Sequence, residues 1–181
     1  FMLIDGVKQD VISITIPTDG STVIFTSDGN AFGYTIVDSE PTPTYVAEVN
    51  GNSYDNIDDA INAAEAIEGS TLKLLGDVEG GIVIDSGKFT LDLNGYTIDR
   101  NAPESDASSS VFVIKNSTFT ITDTSAAKTG KITGGNAKNG GGINAIRCTL
   151  NINGGNITGN KASNNGGGIY INGGECHIDG G

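Results

Sequence analysis

The stretch that decides the fold is Asn139-Gly140-Gly141-Gly142-Ile143, which returns as Asn165-Gly166-Gly167-Gly168-Ile169. A second stretch, Asn151-Ile152-Asn153-Gly154-Gly155, returns in altered form as His177-Ile178-Asp179-Gly180-Gly181. Both pairs are offset by 26 residues. A fixed offset at which glycine and branched apolar residues recur indicates one structural unit stacked on a copy of itself.

The composition is that of a chain with many tight turns and a narrow core. The 181 residues contain 27 Gly but 4 Pro, and 36% of them are hydrophobic. Aromatic residues make up 6% and Trp is absent, so we expect a core of Val, Ile and Leu. The net charge of −12 argues against nucleic acid or an anionic membrane surface as a partner. No apolar run in this segment is long enough to span a membrane.

Residues 1–40 are predicted to form a small β-strand module, either packed on the following chain or ending a larger β-sandwich domain. Its strands are expected at residues 2–4, 11–16, 22–26 and 32–37. A proline-containing linker at residues 39–44 then leads to a second domain at residues 45–181. Because the chain opens in strand-like sequence at Phe1, we expect it to be an excised fragment of a longer protein.

A short strand and one helix, near residues 56–68, are predicted to open the second domain. Asp55 or Asn56 caps the helix at its N-terminus. Its apolar residues recur at helical spacing: Ile57, Ile61, Ala64 and Ile67. We expect this helix to cover the apolar floor beneath Leu72 and Leu74, with its apolar face toward the coils.

From residue 71 onward, short strands of three types follow one another in a fixed cyclic order. The first type holds the inward pairs Leu72/Leu74, Leu91/Leu93, Phe119/Ile121, Leu150/Ile152 and Cys176/Ile178. The second type holds Ile98, Ile132 and Ile157. The third type holds Ile82/Ile84, Val111/Val113, Ile143/Ala145 and Ile169/Ile171. In coils of about 26–34 residues, each strand would pair with its equivalent one coil away, about 4.8 Å distant.

The predicted fold class is therefore all-β, a right-handed parallel β-helix (solenoid) of about four coils, with the handedness taken from the crossover rule for parallel strands. The predicted register stacks four residues inside: Leu93, Ile121, Ile152 and Ile178. Two outward columns and one corner column follow from strand alternation: Asp92, Thr120, Asn151 and His177; Asn94, Thr122, Asn153 and Asp179; Gly95, Asp123, Gly154 and Gly180. An antiparallel sandwich would explain the strand lengths but not the repeated offset.

Three stretches in the second domain resemble a known family: residues 54–64, Thr71-Leu72-Lys73-Leu74-Leu75, and residues 90–98. They are similar to the entry into the right-handed β-helix of the pectin-lyase-like superfamily, in the version found in large bacterial cell-surface proteins. The later Gly-Gly-Gly-Ile-Tyr and Ile-Thr-Gly-Asn patterns resemble the repeats of adhesin-like and polymorphic outer-membrane proteins. The resemblance covers residues 45–181. It implies an N-terminal capping helix and an extracellular place, on the bacterial cell surface or secreted.

The expected function is that of a non-catalytic segment acting as an adhesin, a stalk or a carbohydrate- or ligand-binding platform. One alternative is a fragment of a polysaccharide lyase or glycoside hydrolase of the β-helix type. Another is a self-assembling structural surface protein. The expected partners are glycans or host and cell-surface proteins. End-to-end self-association is a further expectation, because nothing after Ile178 covers the last apolar layer.

Few residues qualify as catalytic. The resemblance implies that an enzyme of this class would use Ca²⁺-binding carboxylates with an arginine or lysine base, or clustered aspartates. Arg100 lies beside no predicted carboxylate cluster, and neither does Arg147, whose equivalent one coil earlier is Lys115. Asp92 and Asp179 are predicted three coils apart, on the order of 14 Å, which exceeds both carboxylate spacings of glycoside hydrolysis.

Metal and disulfide chemistry are equally weakly supported. His177 stands alone next to Asp179, whereas zinc takes at least three protein ligands. Cys148 and Cys176 are 28 residues apart in a 26-residue repeat, so they are displaced by two residues on adjacent coils. Their Cα atoms would be roughly 8 Å apart, beyond disulfide reach unless Cys148 lies in a distorted corner.

Two acidic turns could hold calcium, Asp28-Gly29-Asn30 and Glu104-Ser105-Asp106, but neither has a regular calcium-binding pattern. Glycosylation sequons occur at Asn116-Ser117-Thr118 and Asn156-Ile157-Thr158, and we interpret them as chance matches in solenoid turns. The sequence therefore assigns no catalytic, cofactor or metal residue and identifies no ligand-binding residue.

Overall fold

A computed structural model of the chain describes residues 44–103 and 108–181 in full, together with the backbone of four strands before them. The chain separates into two compact units, Phe1–Pro43 and Thr44–Gly181. Each unit is described by itself below.

Two antiparallel strand pairs are described in the first unit. β1 (Met2–Ile4) pairs with β2 (Val7–Gln9), and β3 (Thr22–Ser27) pairs with β4 (Phe32–Val37). The strand predicted at residues 11–16 lies outside the described residues. Three of the four predicted strands are therefore found, and β2 is one that the sequence reasoning missed.

The second unit contains one described helix, α1 (Ile57–Glu65), and otherwise short strands. In chain order these are β5 (Ala47–Val49), β6 (Asn52–Tyr54), β7 (Thr71–Leu74), β8 (Val78–Glu79), β9 (Ile82–Ile84), β10 (Lys88–Asp92), β11 (Thr97–Asp99), β12 (Ser108–Ser109), β13 (Phe112–Lys115), β14 (Thr118–Thr122), β15 (Lys131–Thr133), β16 (Asn136–Asn139), β17 (Ile143–Asn153), β18 (Asn156–Ile157), β19 (Lys161–Asn165) and β20 (Ile169–Gly180).

Helix α1 begins at its predicted cap and ends earlier than predicted. The Asn56 side-chain oxygen accepts hydrogen bonds from the N–H groups of Asp58 (2.7 Å) and Asp59 (3.3 Å). Its buried residues are Ala60, Ile61 and Ala64. Ile67 lies beyond the end of the helix at Glu65 and is 46% exposed, so its predicted place in the helical repeat is wrong. The helix contacts β5, β6, β7, β9 and β10, which places its apolar face in the same core as the first coils.

The strands of each predicted type pair in parallel with their equivalents in neighbouring coils. First-type strands are β7, β10, β14 and the second halves of β17 and β20. Second-type strands are β8, β11, β15 and β18. Third-type strands are β9, β13 and the first halves of β17 and β20. The stack is a parallel β-solenoid of about four turns, which confirms the predicted architecture at this level.

The 26-residue repeat is reproduced in the pairing of the last coils from Ile143 to Ile152, and a register shift then pairs Asn153 with Gly180. Ile143 pairs with Ile169, and Ile152 pairs with Ile178. Ile121 pairs with Ile152, so three of the four residues predicted to stack inside are in register. Ile178, however, is 65% exposed, so its predicted inside position is wrong. The second-type column of Ile98, Ile132 and Ile157 is also confirmed.

The register of the first-type strands is wrong by two residues at Leu93. The predicted pairing of Leu91 with Leu72 is confirmed. On the other side of the strand, Leu91 rather than Leu93 pairs with Ile121, and Phe89 pairs with Phe119. The rings of the two phenylalanines are edge to face, with centroids 5.1 Å apart. Three alternating apolar residues offered two alignments, and the one that pairs the aromatic rings is adopted. The first coil is shorter than the predicted range of about 26–34 residues, since Leu72 and its partner Leu91 are only 19 residues apart.

The register of a third-type strand is wrong by one residue. Phe112 pairs with Ile82 and Ile143 and is fully buried, whereas the prediction placed Val111 and Val113 at the inward positions of this register. Val111, just before the strand, is buried as well, but Val113 is not. Side chains alternate between faces, so a slip of one residue exchanges inside and outside. Residues 111–114 are all apolar, and periodicity alone does not distinguish their two faces.

A third small sheet was not predicted. β12 pairs antiparallel with β16, and β16 pairs in parallel with β19. These strands are polar, and β19 reads Lys161-Ala162-Ser163-Asn164-Asn165. Asn139 Oδ1 accepts hydrogen bonds from the side-chain amides of Asn164 (3.1 Å) and Asn165 (3.0 Å). Amide side chains and backbone pairing therefore stabilise a sheet that has no hydrophobic alternation.

Candidate functional site

The corner between first-type and second-type strands is longer in the third coil than in its neighbours. β14 ends at Thr122 and β15 begins at Lys131, which leaves a corner loop of residues 123–130. The matching corners are residues 93–96 in the coil before and residues 154–155 in the coil after. A solenoid turn does not require the additional residues, and loops on a rigid scaffold are common places for binding groups.

Asp92 anchors the corner loop to the preceding coil. Its Oδ1 accepts hydrogen bonds from the N–H groups of Asn94 (3.0 Å) and Thr124 (2.9 Å), and its Oδ2 accepts one from Thr124 Oγ1 (2.5 Å). Asp92 is only 4% exposed because these groups cover it. Its predicted place in an exposed column is therefore wrong, and Thr90 takes that place by pairing with Thr120.

Asp123, the first residue of the corner loop, also stabilises the loop through hydrogen bonds. Its Oδ1 accepts from the N–H groups of Gly95 (2.9 Å) and Ser125 (3.1 Å), and its Oδ2 accepts from the N–H of Gly130 (2.7 Å). Burial acts to raise the pKa of this carboxyl. The hydrogen bonds from the Ser125 side chain and from the three backbone N–H groups outweigh burial and lower the pKa below its ordinary value. Asp123 is thus ionised and only 2% exposed, and its hydrogen bonds stabilise the corner loop.

Lys128 completes the loop. Its backbone is in the left-handed region, with φ of 52°, a conformation that a lysine adopts at some cost. Its Nζ donates to the Asp123 carbonyl (2.5 Å), and its own carbonyl accepts from Asn156 Nδ2 (3.2 Å). The corner loop is therefore fixed at both ends and at its tip.

A cavity of about 370 Å³ lies between the corner loop and the corner of the next coil. It is lined by Thr122, Asp123, Thr124, Lys128, Asn153, Gly154, Gly155, Asn156 and Gly181. We call it the corner cavity. Hydroxyl and amide groups can exchange hydrogen bonds with a polar ligand. Both nearby carboxylates already accept several hydrogen bonds, so neither is a free general base.

The predicted catalytic candidates are not brought together. Arg100 Nη2 donates to Ser109 Oγ (3.1 Å), and Lys115 is paired with Asp85 at 2.9 Å. Arg147 is exposed, with φ of 50°, at the bend inside β17. Its predicted equivalence with Lys115 is wrong by one residue, because Lys115 pairs with Ile146. None of these residues lines the corner cavity.

His177 is exposed, and its Nε2 lies 3.4 Å from Glu175 Oε2 rather than beside Asp179. Within residues 44–103 and 108–181, no three His, Cys, Asp or Glu side chains are grouped closely enough to hold a metal ion. The two turns considered for calcium, residues 28–30 and 104–106, lie outside the described residues.

The two cysteines are free thiols displaced by two positions, as predicted. Cys148 pairs with Gly174, and Cys176 pairs with Leu150. Burial raises the pKa of both thiols. They therefore serve as small core residues.

The corner cavity was missed from the sequence. The columns predicted from the sequence place Thr122 and Asn153 at outward positions and Asp123 at a corner. They give Lys128 no role. A comparison of corner lengths between coils would have found the inserted loop.

In the described part of the chain, no helix has the length and apolar character needed to cross a membrane. Comparisons with family models, curated proteins and solved structures return no match to this chain.

Proposed function

We propose that the chain is a non-catalytic segment of a bacterial extracellular protein, on the cell surface or secreted, acting as an adhesin, stalk or ligand-binding platform. The observation that carries this proposal is the chemistry of the corner. Asp92 and Asp123 accept hydrogen bonds from loop groups, while the cavity beside them offers hydroxyl and amide groups from Thr122, Asn153 and Asn156. Such an arrangement offers hydrogen bonds to a polar ligand, and both carboxylates are already engaged, which supports a binding role rather than a catalytic one.

The proposal includes kinship with the pectin-lyase-like superfamily, a right-handed winding of the coils and a capping role for α1. The handedness rests on the rule for parallel crossovers. The capping role rests on the burial of Ile61 and Ala64 against the first coils. The proposed partners are glycans or cell-surface proteins, which accords with an acidic chain that would repel nucleic acid.

The test combines binding with a search for turnover. We expect the purified chain to bind members of a glycan array and to release no unsaturated or reducing sugar from pectin or alginate, with or without Ca²⁺. Asn153→Leu should lower array binding, because it replaces a cavity amide with an apolar group of similar size. Asn172→Leu, an exposed residue outside the cavity, is the matched control and should bind like the parent. Turnover that disappears on substituting one carboxylate would contradict the proposal.

A second candidate function is self-assembly, and one specific observation favours it. Ile178 is 65% exposed although its register partner Ile152 is 2% exposed. With Ile157 and Ile169 it borders an apolar hollow of about 210 Å³. We propose that this face can pair with a second copy of the chain. Sedimentation should then show a concentration-dependent dimer that Ile178→Asp abolishes, and a concentration-independent monomer would contradict this candidate.

A further inference from the structure

The corner cavity opens onto a flat, uncharged polar surface. The outward residues of β14 and of the second half of β17 form this outer face: Thr118, Thr120, Thr122, Thr149, Asn151 and Asn153. Their inward neighbours, Phe119, Ile121 and Ile152, are buried in the core. The two residues nearest the corner, Thr122 and Asn153, also line the cavity. Outer face and cavity are therefore one continuous surface.

The outer face is a regular and rigid set of hydrogen-bonding groups. Thr118 pairs with Thr149, and Thr120 pairs with Asn151, whose Nδ2 donates to Thr120 Oγ1 (3.3 Å). Paired residues are about 4.8 Å apart, and successive outward residues on one strand are about 6.6 Å apart. Both strands are fixed by neighbours on each side, since β14 lies between β10 and β17, and β17 lies between β14 and β20.

Charge sets the class of ligand. The six residues of the outer face carry no charge. One coil to either side, the charged or titratable residues are Lys88 and Glu175 in the column of Thr118 and Thr149, His177 beside Asn151, and the buried Asp92 beside Thr122. The Lys128 ammonium at the cavity is held by the Asp123 carbonyl. An uncharged ligand rich in hydroxyl groups matches this surface, whereas a protein interface core would need aromatic or apolar anchors that the outer face lacks.

Shape sets the length of the ligand. A flat face gives each contact little net free energy, so only a ligand with several repeating units can bind firmly. We propose, resting on the proposed binding function, that the chain binds extended neutral oligosaccharides. The terminal sugar occupies the corner cavity, and the following sugars lie along the outer face from Asn153 and Thr122 toward Thr149 and Thr118.

The experiment uses size series of neutral oligomers of glucose, N-acetylglucosamine, mannose and galactose, from one to six units, with oligogalacturonate as the charged comparison. Affinity is measured by titration calorimetry, and the contacted residues are read from amide chemical shifts. For at least one neutral series, we expect the hexamer to bind at least about tenfold more tightly than the monomer. The monomer should shift Thr124 and Asn156, and the hexamer should also shift Thr120 and Asn151.

The decisive variant is the nearly isosteric double substitution Thr120→Val with Asn151→Leu, which removes polar groups from half-buried positions on the outer face without adding volume to the core. It should reduce the ratio of hexamer to monomer affinity about tenfold, while Asn172→Leu leaves the ratio unchanged. An affinity that is independent of length, an unaffected double variant or tighter binding of oligogalacturonate would overturn the inference. If array glycans bind but the double variant binds them equally, this inference fails and the proposed function stands. If no glycan binds in any format, both fail.

Discussion

The two copies of Asn-Gly-Gly-Gly-Ile have the same sequence and different surroundings. In the first copy, the N–H groups of Gly140, Gly141, Gly142 and Ile143 donate to the carbonyls of the second copy at distances of 2.8 to 3.2 Å. In the second copy, the N–H groups of residues 166–168 have no backbone acceptor among the described residues. The first copy is buried and the second is partly exposed. Stability in this fold therefore belongs to the interface between coils rather than to the sequence of one coil.

The largest expected effect comes from the isoleucines at equivalent positions. Ile152 is 2% exposed and is covered by the coil that contains its partner Ile178, itself 65% exposed. Ile152→Ala should lower the free energy of unfolding by about 3–4 kcal/mol, because it leaves a cavity in a packed layer. Ile178→Ala should change it by less than about 0.5 kcal/mol. Urea unfolding at a concentration where the protein is monomeric measures both.

Equal losses in these two variants would show that the two coils are equally buried in solution. The comparison between the two coils would then fail for the core.

The glycines of the two copies provide the next test. A Cβ on Gly141 would lie 2.1 Å from the Lys161 carbonyl oxygen and 2.7 Å from that of Gly167. A Cβ on Gly167 would meet nothing closer than the Asn160 carbonyl oxygen at 3.3 Å. Gly141→Ala should therefore cost about 3 kcal/mol, since two backbones must move apart, and Gly167→Ala less than about 1 kcal/mol. Thermal unfolding of the two variants side by side decides whether coil stacking sets the difference.

The next prediction concerns the corner loop, where the contribution of Asp123 to stability depends on pH. Asp123→Asn should cost about 2 kcal/mol near pH 7, because an amide cannot accept all the hydrogen bonds from Gly95, Ser125 and Gly130. The pKa of Asp123 is lowered in the folded state, so its contribution is fully present above the ordinary carboxyl pKa, about 4. The contribution is lost as the pH falls through the lowered value.

Unfolding free energies measured from pH 7 down to about pH 2 test this assignment. The parent should lose more stability than Asp123→Asn over that range. Parallel curves for the two proteins would show that Asp123 does not brace the corner loop as an ionised carboxylate.

The smallest expected effect is at the bend between third-type and first-type strands. Equivalent positions in three coils hold Asn116 (φ 47°), Arg147 (φ 50°) and Gly173 (φ 78°). Asparagine and glycine adopt this left-handed conformation more readily than arginine. Arg147→Asn should therefore raise the unfolding free energy by about 0.5 kcal/mol. A loss of stability in this variant would indicate that the arginine side chain makes a compensating contact, and Arg147→Gly distinguishes the backbone effect from the side-chain effect.

Much of the architecture could be predicted because the signal is periodic. The 26-residue offset specified which coils stack, and Ile98, Ile132 and Ile157 mark a strand type with one inward residue each. The register failed where several apolar residues adjoin, at Leu93 and at Phe112, because periodicity does not choose between two apolar faces.

The candidate site could not be predicted for a different reason. Asp92 and Asp123 look like surface residues in the sequence, and their role depends on which backbone N–H groups the coils bring to them. Those donors belong to Thr124 and Gly95, about one coil away along the chain. The polar strand β19 was missed for the same reason, since its pairing with β16 depends on backbone groups and not on a hydrophobic pattern.

The central claim is that the first copy of the repeat is stacked beneath the second. Amide hydrogen exchange, followed by NMR on the monomer, measures this directly. We predict slow exchange at Gly141, Gly142 and Ile143, whose N–H groups donate to the next coil, and near-intrinsic exchange at Gly167 and Gly168. Equal protection of the two copies, or fast exchange at Gly142 and Ile143, would contradict the account.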